Sequence, residues 1–196
     1  MNEIQIQNIR DRIELAFQGN LPDEVPIKEL LGRLSFNGFF KAPASTKYHL
    51  AEEGGLAIHS MNVTKRLLEL TDLYHLEWMR LSSPYIVGLL HDLCKCDCYV
   101  KDSGGNWKYN PDILIPGHGE KSVMMAQKIL GVPLTEEETL CIRWHMGAFD
   151  DKDNWKYYTS SIHKYPNVLY THMADMMAAH IDEVPSKDIW GKERFV

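Results

Sequence analysis

The chain has 196 residues, of which 44% are hydrophobic and 24% are charged, and its formal net charge is −6. These values are ordinary for one globular domain with a sizeable core. The acidic balance, without a lysine- or arginine-rich run, weighs against long duplex nucleic acid as a partner, because that requires a basic surface. No apolar run approaches the roughly 18 residues of a membrane span, so we expect no membrane partner.

Helical periodicity dominates the first half of the chain. Apolar residues at helical spacing between 4 and 17 predict a first amphipathic helix. Pro26 is expected to open a second, short helix, and a third is predicted from about 55 to 74. Ser83-Pro84 predicts another helix start, with the serine as N-cap and the proline at the first position. The apolar run 85–93 behind it is expected to be fully buried.

The periodicity changes in the second half. The segment 98–110 alternates and contains a Gly-Gly pair, which predicts a small β-hairpin insertion. Helices are then predicted at 119–130, at 135–145 and at about 161–182. A capping box begins the second of these, and Pro166 is able to interrupt the first turns of the third. The sequence thus predicts an all-α fold with a β-hairpin near 98–110.

The four cysteines give no disulfide framework, and the polar amino terminus has no signal-peptide pattern. Three of them alternate near a helix end and lack the Cys-x-x-Cys spacing of a structural zinc site. We therefore expect free thiols and a cytoplasmic protein. The cysteines are Cys94, Cys96, Cys98 and Cys141.

Three apolar helical segments carry side chains that are costly to bury. His91-Asp92 ends an apolar run, Asp175 lies among methionines and alanines, and His59 follows an apolar stretch. Buried imidazoles and carboxylates cost free energy unless they are paired or bound to a metal. Each residue by itself has a structural explanation, as a satisfied core histidine or a helix cap. Their joint occurrence predicts a metal site.

The pattern His…His-Asp…Asp, with Lys95 three residues after the aspartate, resembles the HD-domain phosphohydrolase superfamily over roughly residues 45–182. The resemblance implies a helical bundle that holds one or two divalent metals and cleaves phosphate esters. It implies one HD domain over 1–196, in which helices of 1–40 pack on the core. By this resemblance the ligands of the first metal are His59, His91, Asp92 and Asp175.

Two further histidines extend the resemblance. His118 is expected at a helix start and His145 at a helix end, contexts in which two-metal HD proteins have histidines. The resemblance implies that both bind a second metal and that Asp92 bridges the two ions. The alternative is that each is a surface histidine at a helix terminus.

A local stretch, 43–56, is similar to the HD domain of bacterial exoribonucleases of the YhaM type. That similarity places His49 near the site as a candidate catalytic residue. The chain lacks the nucleic-acid-binding barrel of those enzymes. The segment 118–175 also resembles small dinuclear HD enzymes that hydrolyse dinucleoside polyphosphates, so the subfamily stays open.

Four imidazoles and two carboxylates suit Mn, Fe, Zn, Ni or Co better than Mg. Two such ions can share a hydroxide that attacks phosphorus, with Asp92 as the bridge. Lys95 is expected on the same helix face as the His-Asp pair, as a catalytic or phosphate contact or as an ordinary ion-pair partner. Lys121 and Arg143 are candidate phosphate contacts, with solvated side chains as the alternative.

Two sets of residues have weaker predictions. His172 lies one turn before Asp175 and is a candidate to orient it. Four aromatic residues are able to stack on a base, although such residues more often pack in a core. They are Tyr99, Trp107, Tyr109 and Trp144.

The sequence therefore predicts a metal-dependent phosphohydrolase or phosphodiesterase, acting on a small nucleotide or short oligonucleotide with one or two metals. The alternatives are a mononuclear HD nucleotidase and a non-catalytic metal- or nucleotide-binding module. The identity of the substrate, the metal and the oligomeric state stay open.

Overall fold

The computed structural model describes residues 3–47 and 50–184, and the structural statements below concern these residues. They are mostly helical, with one small antiparallel hairpin, which confirms the all-α prediction and the hairpin near 98–110. The described helices are all too short or too polar to span a membrane.

The helices are, in chain order, α1 (Glu3–Phe17), α2 (Ile27–Phe36), α3 (Gly55–Tyr74), α4 (Ser83–Leu90), α5 (Lys95–Cys98), α6 (Gly119–Leu130), α7 (Glu136–Trp144), α8 (Trp155–Lys164) and α9 (Asn167–Met177). A π-helical turn, Ala178–Asp182, continues α9. The strands are β1 (Tyr99–Lys101) and β2 (Trp107–Tyr109), which pair antiparallel.

Helix α3 lies at the centre of the bundle. It packs against α4 and α9, and α9 packs in turn against α7. Apolar side chains of α3, including Val63 and Leu67, are fully buried, and α4 is buried almost all round. The loss of water contact by these apolar surfaces is the main favourable contribution to the fold. As a result, the ends of several helices meet on one side of α3.

Helices α1 and α2 join the same core. Phe17 of α1 packs edge-on against Tyr85 of α4, with ring centroids 5.4 Å apart. Arg33 of α2 donates hydrogen bonds to the carbonyls of Ile129 and Leu130, at 2.6 Å and 3.0 Å. A cation at the carboxyl end of α6 satisfies carbonyls that have no partner in their own helix. This contact ties the amino-terminal helices to α6.

Two glycines allow helices to approach closely. A Cβ on Gly88 of α4 would lie 2.6 Å from the Cα of Thr64 in α3. A Cβ on Gly119 of α6 would lie 2.0 Å from the carbonyl oxygen of Arg143 in α7. Gly119 directly follows His118 and Gly88 lies three residues before His91, so these approaches help to set the spacing of the predicted metal ligands.

Most predicted elements are confirmed, including α3, α6 and the Thr135–Glu138 capping box that begins α7. The predicted N-cap role of Ser83 is wrong. The residue before it caps the helix, and the buried Ser83 hydroxyl donates to Glu138 Oε1 at 2.8 Å. Near the carboxyl end the predicted single helix is divided at Pro166 into α8 and α9. Helix α8 begins at Trp155, earlier than predicted.

Candidate metal centre

All six predicted metal ligands lie together on one side of α3. His59 comes from α3, the His91-Asp92 pair directly follows α4, and Asp175 lies in α9. His118 directly precedes α6 and His145 directly follows α7, as their predicted helix-end positions require. Their side chains are buried, apart from those of His118 and Asp175, which are 28% and 14% exposed.

One group of ligand atoms forms where α3, α4 and α9 meet. His59 Nε2 lies 3.4 Å from His91 Nε2 and 3.1 Å from Asp175 Oδ1. His91 Nε2 lies 4.0 Å from the same carboxylate oxygen. Two imidazole nitrogens and a carboxylate oxygen are a ligand set that divalent transition metals bind. This group is close enough to hold one ion.

A second group forms where α6 and α7 meet the end of α4. His118 Nε2 lies 2.7 Å from Asp92 Oδ1, and His145 Nε2 lies 3.4 Å from that oxygen. The centroids of the two imidazole rings are 5.1 Å apart. The close approach of α6 to α7 at Gly119 brings these histidines side by side.

Asp92 lies between the two groups. Its Oδ2 atom is 3.5 Å from His59 Nε2 and 3.5 Å from His91 Nε2. Its Oδ1 atom faces His118 and His145. One carboxylate thus presents one oxygen to each group, the arrangement required of a ligand that bridges two ions.

The outer nitrogens of two histidines are held by their own helices. His91 Nδ1 donates to the Gly88 carbonyl at 2.9 Å, and His145 Nδ1 donates to the Ile142 carbonyl at 2.6 Å. With Nδ1 donating, the metal-binding tautomer of each ring has its free electron pair on Nε2, which points into the site. His145 Nε2 is buried and has no hydrogen-bond partner among the described residues. A metal ion would satisfy this nitrogen, so the residues present fit a bound metal.

Glu183 has the corresponding role for His59, which sequence reasoning missed. His59 Nδ1 donates to the Glu183 carboxylate, with distances of 3.0 Å and 3.1 Å to its two oxygens. Asn62 Nδ2 also donates to Glu183, at 2.9 Å. The Glu183 side chain is 1% exposed. Carboxylates that hold the outer nitrogen of a metal-binding histidine orient the ring and increase its basicity.

Cys94 contacts the remaining histidine, with its Sγ atom 3.4 Å from His118 Nδ1. Asp92, Cys94 and His118 are together close enough to hold an ion. The Cys94 thiol donates a hydrogen bond to Cys98, and this bond together with burial raises the pKa of Cys94 well above its usual value. A protonated thiol favours a contact that orients His118 over a thiolate ligand.

The buried charges of the site compensate one another. Burial lowers the pKa of His59, but hydrogen bonds to Asp175, Asp92 and Glu183 outweigh it and raise the pKa well above the usual value. Burial raises the pKa of Asp92, but the charges of Lys95, His91 and His118 outweigh it and lower the pKa. Both aspartates are thus ionised, as metal ligands must be.

Lys95 contacts the bridging carboxylate. Its Nζ atom lies 2.5 Å from Asp92 Oδ2, and its side chain is 10% exposed. Burial lowers the pKa of Lys95, but the charges of Asp92 and Asp175 outweigh it and raise the pKa. The predicted shared helix face is wrong, because the His91-Asp92 pair lies in the turn after α4 and Lys95 begins α5. Lys95 nevertheless reaches Asp92 and lines a cavity beside the site.

The structure does not bring Lys121 and Arg143 into that cavity. Lys121 pairs with Asp97 at 2.7 Å. Arg143 pairs with Glu120 at 2.5 Å and Asp150 at 2.6 Å, and its guanidinium stacks over the Trp144 ring. Their predicted phosphate contacts therefore have no support from this geometry.

His172 lines the cavity, and its Nδ1 atom donates to the His145 carbonyl at 2.7 Å. This hydrogen bond is made to the backbone of another candidate ligand rather than to Asp175. Tyr99 is the one aromatic residue of the predicted four that lines the cavity. His49, the remaining predicted catalytic residue, lies outside the described residues.

The chain was compared with known protein families, with curated proteins and with solved structures. None of them matches it. The function is therefore inferred from the residues of the site and their geometry.

Proposed function

We propose that the protein is a metal-dependent phosphohydrolase of the HD type with a dinuclear centre, acting on a phosphate ester of a nucleotide or short oligonucleotide. The observation that supports it best is the position of Asp92, whose two oxygens face two separate groups of imidazoles. A core packed only for stability would not be expected to place four imidazoles around one buried carboxylate, because burying such groups is costly.

In this proposal His59, His91 and Asp175 hold one ion and His118 and His145 hold the other, with Asp92 shared. Divalent ions in such a site lower the pKa of water and neutralise charge on phosphoryl oxygens. Nitrogen-rich ligand sets favour Mn, Fe, Zn, Ni or Co over Mg.

The chain's own residues supply orientation and charge. Backbone carbonyls and Glu183 hold the imidazole rings in the orientation that metal binding requires. Lys95 lies beside Asp92 at the cavity wall. Its positively charged ammonium group would attract a phosphoryl oxygen of the substrate there. Because the positions are set before the substrate arrives, little reorganisation accompanies the reaction.

Metal counting on purified protein reconstituted with Mn²⁺ tests the ligand assignment. We expect two ions per chain in the wild type and one in His118→Ala and in His145→Ala. His163→Ala is the matched control, because His163 is an exposed histidine of α8. Two ions persisting in both site variants would contradict the assignment.

Hydrolysis assays on the same preparations test the activity. We expect phosphate release from a panel of mono- and diesters by the wild type and His163→Ala, and little from the site variants. One ion in an active wild type would favour the mononuclear nucleotidase. Two ions without hydrolysis of any ester would favour a non-catalytic binding module.

A further inference from the structure

A cavity of about 720 Å³ adjoins the candidate metal centre. Its volume falls within the range of small-molecule sites. Asp92, His118 and Asp175 belong to its lining, and most of the exposed lining surface is apolar. The apolar residues of the lining are Ala44, Leu50, Met146, Phe149, Met176, Ala179 and Val184. We call these seven residues the apolar wall.

The apolar wall suits a ring better than a sugar or a phosphate chain. Thioether and aromatic side chains make favourable contacts with the faces and edges of flat rings. Tyr99 also lines the cavity. Burial raises the pKa of its phenol to about 12, so the hydroxyl is neutral. An uncharged hydroxyl can donate a hydrogen bond to a ring nitrogen or carbonyl.

The charges around the cavity limit how much phosphate it can hold. Among its described lining residues Lys95 is the only lysine or arginine, and it is paired with Asp92. The nearby cations Lys121 and Arg143 are held in ion pairs outside the cavity. Asp175 and Glu183 add negative charge to the lining. Ser45, His172 and His180 are the remaining polar residues of the described lining. A phosphate beyond the one at the metals would therefore meet no lysine or arginine outside an ion pair, and it would lie near Glu183 and apolar atoms, which is unfavourable.

We infer that the substrate carries a single phosphate group and an uncharged ring, such as the base of a nucleoside monophosphate or of a short diester. The phosphate lies at the metals and the ring lies against the apolar wall. This inference rests on the proposed function, and it disfavours nucleoside polyphosphates as substrates.

A matched substrate series tests the inference with the Mn²⁺-loaded wild type. The series comprises a nucleoside mono-, di- and triphosphate with the same base, and glycerol phosphate as an ester without a ring. We expect kcat/KM to fall at least about tenfold from mono- to diphosphate, because an unpaired charge near the site opposes binding. We expect glycerol phosphate to lose about 10- to 100-fold through the missing apolar contact.

Phe149 variants test the apolar wall directly. Phe149 is 71% exposed, so its replacement has little effect on folding. We expect Phe149→Ala to raise KM for the monophosphate by a larger factor than KM for glycerol phosphate, which has no ring to contact the apolar wall. We expect Phe149→Lys to reduce the discrimination against the diphosphate. Tyr157→Ala is the control, because Tyr157 is 55% exposed and does not line the cavity.

The outcomes separate this inference from the proposed function. Faster hydrolysis of di- or triphosphates, or equal rates with and without the ring, would overturn the inference and leave the phosphohydrolase intact. No hydrolysis of any ester by protein that holds both metals would overturn the proposed function itself.

Discussion

Asp92 is 2% exposed and contacts groups from four different parts of the chain. Replacing it by asparagine keeps the shape but removes the charge that both metal groups share. We expect Asp92→Asn to weaken the binding of both ions by more than the roughly 10- to 100-fold typical of changes to groups that merely contact a metal ligand. Calorimetric titration with Mn²⁺ measures this.

The control for this variant is Asp97→Asn, since Asp97 pairs with Lys121 at 2.7 Å and its side chain is 53% exposed. We expect wild-type Mn²⁺ affinity there. If the Asp92→Asn protein loses one ion and binds the other with full affinity, the carboxylate is not shared by the two ions.

The grouping of the six candidate ligands could be predicted from the sequence, because four of them lie in apolar helical segments and the family resemblance added His118 and His145. Glu183 could not be predicted, because it follows a helix in a polar stretch and contacts His59, which is 124 residues away in the chain. The pairing of Arg143 also escaped prediction, since its partner Asp150 belongs to a loop whose path depends on tertiary packing.

At the scale of elements, the turn after α9 is fastened to α3 by two adjacent acidic residues. Glu183 contacts His59, and Asp182 pairs with Arg66 through both carboxylate oxygens. We expect Glu183→Gln to weaken binding of the first ion about 10- to 100-fold, because a neutral amide supports the imidazole less well. Asp182→Asn loosens the same turn without touching a ligand.

Metal titration of both variants, together with thermal melts, shows whether Glu183 orients the His59 ring or only anchors the turn to α3. If Glu183 orients His59, Glu183→Gln lowers metal affinity and Asp182→Asn does not. Equal losses of affinity in the two variants would indicate that Glu183 only anchors the turn.

The contact between α6 and α7 offers a test of how helix spacing positions ligands. We expect Gly119→Ala to push α6 from α7, to destabilise the protein by about 1–3 kcal/mol and to lose the second ion first. Gly32→Ala is the control, because a Cβ there meets nothing within 4 Å. Chemical denaturation and metal counting measure both effects. A Gly119→Ala protein with full stability and two ions would contradict this explanation.

Elements with a strong apolar stripe or a capping box could be predicted well from the sequence, as α3 and α7 show. The start of α8 could not, since Ser161 is its one buried residue and its first turn holds Trp155, Tyr157 and Tyr158, which are weaker helix formers than alanine or leucine. The hydroxyl of Ser83 was misassigned because its acceptor, Glu138, lies 55 residues away in α7.

At the scale of the whole molecule, the site joins segments from α3 to the turn after α9. Metal binding should therefore stabilise the fold. We expect Mn²⁺ at about 100 times its Kd to add about 2.7 kcal/mol for each ion bound, which corresponds to a Tm increase of roughly 5–10 °C per ion for a chain of this size. Differential scanning calorimetry with chelator and with Mn²⁺ measures it.

The Asp92→Asn variant serves as the control for this measurement, because its Tm should respond little to Mn²⁺. An unchanged Tm in the wild type at saturating Mn²⁺ would show that the ion binds the folded and unfolded chains equally well.

The shared carboxylate has a thermodynamic consequence. Because Asp92 faces both groups, the two proposed ions would not bind independently, and the first ion to bind would alter the affinity of the site for the second. Linkage requires this factor to be the same in either order of loading. If the first ion mainly fixes the carboxylate in place, binding is cooperative and half-loaded protein is scarce. If it mainly withdraws negative charge, half-loaded protein accumulates, and the metal supply then sets the fraction of competent molecules.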